Sequence, residues 1–253
     1  MGTRRRLDLE MARRGLAASR EGAQRLIMAG RVRVNSQPAL KADQHVDEQS
    51  AIALVGEPSE YASRGGIKLA AALDHFRIDP AGRRALDVGA STGGFTDVLL
   101  RRGAAHVIAL DVGYGQLAER LRRDSRVTIM DRTNIRLAEP GALPYAPDLV
   151  VIDVSFISLR LVIPPVLALS APGVEIVALI KPQFEVGKGK VGKGGIVRDD
   201  AERNRAVSEV LDFARKLGLG VSEAIRAPIR GAAGNQEFLA AFAAARGIDS
   251  FEQ

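Results

Sequence analysis

The chain has 253 residues, 46% of them hydrophobic, with three histidines and no cysteine. That is enough for one substantial core plus a small appendage. The missing cysteines exclude disulfides and thiolate metal sites and point to a reducing cytoplasm, and His45, His75 and His106 are too scattered to predict a metal cluster.

The formal net charge is +6, and residues 1–35, with nine arginines and three acids, carry the same +6. The rest of the chain is therefore close to neutral. A basic end is the electrostatic footprint of a polyanion, usually nucleic acid, although a solvated face has the same composition. The start, MGTRRRLDLEMARRG, has no apolar signal core. The most apolar region, residues 148–181, is broken by Asp153, Arg160, Pro164, Pro165 and Pro172, so no membrane span is expected.

In chain order, Ser19 is placed to cap a helix running to Gly30, with Ala23, Leu26 and Ile27 at helical spacing. "RVRVNSQPAL" alternates Val32 and Val34 with Arg31 and Arg33 and reads as a hairpin turning at Asn35–Pro38. "SAIALV" is a further strand, and "GEPSEYAS" is a linker. The expected organisation is a small αβ module over 1–58, a linker at 59–63 and a main domain over 64–253.

The main domain alternates short apolar runs with helical stretches. "RALDVG", "HVIALD", "VTIMD", "DLVVID" and "VEIVALIK" recur at the spacing of βαβ units and predict a parallel sheet with helices on both faces. "GVSEAIRAPI" and "NQEFLAAFAA" read as two closing antiparallel strands. Four parallel strands run into Asp87, Asp111, Asp131 and Asp153, and the fifth into Lys181. Ligands of open α/β sheets sit at the carboxyl ends of the strands, so these five residues are expected along one rim. One acid at a strand end is ordinary punctuation; four in register favour a cationic or polyhydroxylated ligand.

The first turn, "DVGASTGGFTDVLL", narrows the ligand. It offers Gly89, Ala90, Ser91, Gly93, Gly94 and Phe95, but serine stands where the dinucleotide fingerprint needs its second glycine. A ligand with adenosine and no pyrophosphate fits better, and S-adenosylmethionine is one. Its sulfonium and ammonium suit an acid-lined rim, with Asp111 near the ribose and Asp131 near the adenine. Asp153 and Lys181 end consecutive strands and are expected to be neighbours, with the lysine a candidate base. Lys68, in "SRGGIKLAAALDHF", precedes a helical apolar stripe and on its own reads as an exposed lysine.

Two resemblances sharpen this reading. The run from Arg6 to Val46, with its RLD start, Ser-Arg turn, Ile-x-x-Gly and Val-x-Val-Asn, resembles the alpha-L (S-four-type) RNA-binding domain. That resemblance implies contacts with structured RNA through Arg6, Arg14, Arg20, Arg25 and Arg31. Residues 64–246 resemble the ribosomal RNA large-subunit heat-shock (FtsJ-like) type of ribose 2′-O-methyltransferase. The whole chain is similar to the hemolysin A (TlyA) family through "YASRGGIKL", "LDVGASTGGFTD", "LDVGYGQL", "DRTNIR", "VIDVSFISL", "IKPQFEVGK", "GGIVRD" and "GNQEF". The resemblance implies a Rossmann-like seven-stranded methyltransferase domain that uses S-adenosylmethionine and no metal on ribosomal RNA or ribosomal subunits. Its K-D-K-E catalytic tetrad falls on Lys68, Asp153, Lys181 and Glu237. Some members carry Arg-x-Trp-Val in the linker; this chain has "EYAS" and no tryptophan.

Three other readings compete. "GKGKVGKGG" nearly spells a phosphate loop, but Gly194 stands where Ser or Thr must hold Mg²⁺. The stretch from Gly187 to Gly195 is instead expected to be a basic lip whose Lys188, Lys190 and Lys193 touch RNA phosphates. A membrane-lytic protein, as the family name suggests, finds no strongly amphipathic segment here. An RNA-binding module with a lapsed methyltransferase fold is opposed by the intact tetrad.

Overall fold

The computed structural model describes residues 4–17, 19–28, 30–55, 60–187, 189–192 and 194–244. Its contacts divide the chain into two units, Met1–Arg64 and Gly65–Gln253.

The first unit is β1 (Arg5–Arg6), α1 (Leu7–Arg13), α2 (Arg20–Met28), β2 (Val32–Val34), β3 (Gln37–Pro38), β4 (His45–Val46) and β5 (Ile52–Leu54). The Gly22 amide donates to Ser19 Oγ at 3.0 Å, which caps α2 as its sequence predicts. Leu7, Met11, Ala23 and Ile27 from the helices close on Val32, Val34, Ala39 and Val46. β2 lies between β3 and β5, antiparallel to both. The hairpin turn is tighter than expected: Asn35 and Ser36, at φ 49° and 66°, make the reversal, and Gln37 and Pro38 already pair with β2. Two consecutive left-handed residues match the twist of paired strands, which is why the shorter turn wins.

The second unit continues with α3 (Gly65–Phe76), β6 (Arg84–Val88), α4 (Gly94–Arg101), β7 (His106–Leu110), α5 (Glu119–Arg122) and β8 (Val127–Met130). Then come β9 (Leu149–Ile152), α6 (Ile163–Leu169), β10 (Glu175–Ile180), α7 (Pro182–Glu185), α8 (Asp200–Lys216), β11 (Gly220–Val221), β12 (Ile225–Arg226) and β13 (Phe238–Ala243). The sheet runs β11-β13-β10-β9-β6-β7-β8, with β12 also on β13. β8, β7, β6, β9 and β10 are parallel, and β13 is antiparallel to β10. All four residues of β9 are buried, as a strand covered on both faces requires.

The first closing strand differs from expectation by breaking into β11 and β12. Between them the Ser222 hydroxyl oxygen accepts the Ala241 amide at 2.9 Å, so a side chain replaces a backbone partner and the strand bends. Chain order reverses between β6 and β9, which makes their carboxyl ends the switch point where α/β sheets hold ligands. Among the described residues no helix is long and apolar enough to cross a membrane.

Candidate active site

At the switch point the turns after β6 and β9 lie against each other. Gly89 has φ +88°, and a Cβ there would stand 2.5 Å from the Asp153 carbonyl oxygen. Only glycine permits both the conformation and the approach. Ser91, also left-handed at φ 48°, is held by its amide, which donates to Asp111 Oδ2 at 2.8 Å. Gly93 starts α4 at φ 92°, where a Cβ would run into the Leu117 and Leu121 side chains. Gly94 begins the helix, while Ala90 and Phe95 are buried, so Phe95 serves the core beneath the turn.

Asp87 departs from the expected rim. It is fully buried, and its Oδ2 accepts the Thr96 amide and hydroxyl at 2.8 and 2.7 Å. It sits under the turn because the first turn of α4 offers it those donors. Burial raises its pKa to about 7 against the Thr96 bonds, and the Asp153 and Asp111 charges push the same way. Among the described residues its Oδ1 has no hydrogen-bond partner. The other three acids do line the strand ends. Asp111 Oδ1 accepts the Gly113 amide at 2.7 Å, and Asp131 Oδ2 accepts the Gly115 amide at 2.9 Å. A buried, unpaired carboxylate oxygen among mutually repelling acids suits a ligand that brings positive charge but no pyrophosphate. The residues present therefore fit S-adenosylmethionine.

Beside this cradle the structure joins Asp153 and three further side chains in two ion pairs. Lys181, one residue past β10, places Nζ 2.6 Å from Asp153 Oδ1 and donates to Ser155 Oγ at 2.9 Å. Lys68, in the first turns of α3, pairs with Glu237 Oε2. Both are nearly buried, Lys68 at 8% and Glu237 at 3% exposure, so the reading of Lys68 as an exposed lysine is corrected. Its helix packs against β10 and β13, which turns the residue inward. Ile180 pairs with Phe238, so Lys181 and Glu237 stand at the next register position of neighbouring strands.

Three further side chains support the site; they stand inside "VIDVSFISL", "IKPQFEVGK" and "GNQEF", but nothing in the sequence gives them a role. Ser155 touches Lys181. Asn235, 2% exposed, donates to the Gly195 carbonyl at 2.8 Å and accepts the Val197 amide at 3.0 Å. It thereby ties the glycine-rich stretch to the loop that delivers Glu237. Glu185 joins the segments after β9 and β10. Each acts through a partner distant in sequence, so no spacing rule exposes it.

The basic candidates divide. Lys188 and Lys193 lie outside the described residues, as does the Arg25 side chain. Lys190 pairs with Glu202 at 3.2 Å. The stretch does not run directly into a helix: α8 starts only at Asp200 and is capped by Asp199, which accepts the Ala201 amide at 2.8 Å. The helix N-terminus that a phosphate loop needs directly after its glycines is therefore displaced and already holds a carboxylate. In the first unit, Arg6 and Arg20 bind Asp8, and Arg13 and Arg14 bind Glu10, both acids being buried. The Arg6 hydrogen bond, aided by Gln24 and Arg20 and opposed by burial, holds Asp8 far below the usual carboxylate range. The bonds from Arg13 and then Arg14 lower Glu10 to about 2. Arg14 also donates to the Ser50, Asp47 and Glu48 carbonyls, at 2.7, 3.0 and 3.1 Å. It is as much a staple as a docking group. The Arg31 amide bonds the Leu26 carbonyl just past α2, at 2.9 Å.

Comparison with known proteins identifies the family. The FtsJ-like methyltransferase family matches residues 61–244, and the S4 domain matches residues 5–52. The chain is 50% identical over 239 residues to the 16S/23S rRNA (cytidine-2′-O)-methyltransferase TlyA of Mycobacterium tuberculosis (strain ATCC 25618 / H37Rv), covering 94% of this chain and 89% of that one. It is 41% identical to Hemolysin A of Brachyspira hyodysenteriae, over 94% of this chain and 99% of that one. A solved structure of a hemolysin-like protein from Streptococcus thermophilus superposes with a TM-score of 0.74 at 39% identity, covering 99% of this chain and 93% of that one. A methyltransferase sheet, a preceding S4 domain and near full-length similarity together show that the chain belongs to the FtsJ-like methyltransferases, in the S4-bearing TlyA/hemolysin A family.

Proposed function

We propose that the protein methylates a ribose 2′-hydroxyl of ribosomal RNA, a cytidine by analogy with the M. tuberculosis relative, using S-adenosylmethionine. The observation that carries this is the Lys181–Asp153 pair at the switch point, flanked by the buried Lys68–Glu237 pair. When bound, S-adenosylmethionine supplies a methyl group on a sulfonium, a good target for in-line displacement. The residues to hold it are Asp111, Asp131 and Asp153 with the turn from Gly89 to Gly94, while Asp87 and Phe95 support that turn from beneath.

The chain's own task is to place the nucleophile and take its proton. Lys181 Nζ, fixed by Asp153 and Ser155, holds the 2′-hydroxyl and in its unprotonated form accepts the proton. Bound against those residues, S-adenosylmethionine would supply the methyl that the deprotonated 2′-oxygen takes. Lys68 and Glu237 hold the ribose and balance charge. A ribose within folded RNA must be exposed first, so the target nucleotide is turned out of its stack. Arg6, Arg14, Arg20, Arg25 and Arg31 and the lysines of the glycine-rich lip supply sequence-independent attraction to RNA phosphates. A ribosomal substrate puts this work in the cytoplasm.

The test is Lys181→Ala, assayed by transfer of radiolabelled methyl groups to rRNA from a strain lacking the gene. Transfer is expected to vanish while binding of S-adenosylhomocysteine persists. Normal transfer by the variant refutes the assignment.

A further inference from the structure

The segments that follow β9 and β10 are zipped together, and the deepest tooth is a carboxylate with no part in the chemistry above. Lys181 meets Asp153 and Ser155, and the Phe184 ring lies 5.0 Å from the Phe156 ring. Glu185, the last residue of α7, then accepts the Ser158 hydroxyl at 2.5 Å on Oε2 and the Leu159 amide at 2.8 Å on Oε1. The Arg160 guanidinium stands 3.9 Å away. Glu185 is only 4% exposed.

Burying a carboxylate is expensive, and a well-packed apolar side chain is often neutral or stabilising in its place. Burial duly raises the Glu185 pKa, against the Ser158 and Leu159 bonds and the Arg160 charge. What the carboxylate provides, and an apolar residue cannot, is direction: two bonds to fixed points on the opposite loop. That loop carries Ser155, which holds Lys181, and Phe156, a residue 89% exposed with a left-handed backbone at φ 65°. A non-glycine residue persists there only when its surroundings determine it.

We infer that Glu185 is a positioning residue, a latch between the post-β9 and post-β10 segments that fixes Ser155 and so aims Lys181 at the 2′-hydroxyl. The inference rests on the reading of Lys181 given above. Without the latch the loop from Ser155 to Leu159 loses its anchor, and Lys181 keeps Asp153 but not its second partner. The chemical step should suffer more than RNA capture, because Glu185 itself is buried away from substrate.

The test uses the full chain and compares Glu185→Ala, Glu185→Gln, Ser158→Ala and Lys181→Ala. The readouts are kcat and KM for rRNA at saturating methyl donor, thermal unfolding, and hydrogen exchange at the Leu159 amide. Glutamine keeps a carbonyl acceptor for the Leu159 amide, so it should restore most of what alanine loses. Glu185→Ala is expected to lower kcat about 100-fold with KM within about twofold, and to speed Leu159 exchange. Glu185→Gln should stay within about fivefold of wild type, and Ser158→Ala should fall between the two. If Glu185→Ala does not fold, the Gln and Ser158 variants decide: unchanged kcat in Ser158→Ala, or glutamine as inactive as Lys181→Ala, overturns the latch. A kcat loss that only tracks the unfolded fraction also overturns it. Normal methylation by Lys181→Ala removes the underlying site reading instead, whereas an inactive Lys181→Ala beside a normal Glu185→Ala removes the latch alone.

Discussion

Lys68 and Glu237 stand 169 residues apart in the chain and meet in a buried ion pair. One comes from the start of α3, the other from the approach to β13. Removing either partner leaves an uncompensated charge in the interior. Lys68→Met and Glu237→Gln are each expected to cost about 3 kcal/mol, and the double variant less than the two together. Urea unfolding of the four proteins closes the cycle, and additive losses would show that the pair has no coupling.

Asp87 makes stability depend on pH in an unusual direction for a carboxylate. Its folded-state pKa, raised mainly by burial to about 7, lies above the unfolded value of 3.8. The folded chain therefore holds an extra proton between those values. Its stabilisation is complete below about pH 4 and is lost as pH rises through 7. Asp87→Asn lacks this dependence, so its stability relative to wild type should grow by about 4 kcal/mol from pH 4 to pH 8. Denaturant melts across that range measure it. A parallel pH dependence of the two proteins would remove Asp87 as the cause.

Gly89→Ala tests the contact at the switch point. The added methyl would press on the Asp153 backbone, which has no rotamer with which to yield, at a φ that alanine disfavours. The expected loss is about 2–4 kcal/mol, together with loss of S-adenosylhomocysteine binding by calorimetry. A variant of wild-type stability and affinity would mean that the two turns are free to separate.

The arginines of the first unit should separate by role. Arg14→Ala loses three carbonyl partners and the Glu10 ion pair, and is expected to destabilise that unit by about 1–3 kcal/mol. Arg20, 48% exposed, should act on RNA instead: Arg20→Ala is expected to flatten the log–log salt dependence of rRNA binding by about one unit. Filter binding at several salt concentrations, with hydrogen exchange over residues 4–55, separates the two effects. An unchanged slope for Arg20→Ala would place it with the staples.

Neutralising Lys188, Lys190 and Lys193 together should flatten the same slope by about two to three units and leave S-adenosylhomocysteine affinity unchanged. If cofactor affinity collapses, the lip belongs to the cofactor pocket and not to the RNA path.

Much of this protein is legible in its residues alone. Five apolar runs ending in Asp87, Asp111, Asp131, Asp153 and Lys181 determine a parallel sheet and the end that carries ligands, because strand burial and strand-end chemistry are local properties. The glycines at 89 and 93 mark a tight first turn, and Ser19 and Gly30 bound a helix, for equally local reasons. What tertiary structure decides is who meets whom. Asp87 leaves the rim because Thr96 offers it two donors inside. Lys68 is buried because α3 packs on β10 and β13, where Glu237 waits. Glu185 and Asn235 find partners in other segments. Periodicity reports which face of an element is apolar, whereas the pairing of buried polar groups depends on distances between elements far apart in the chain. Only the folded sheet fixes those distances.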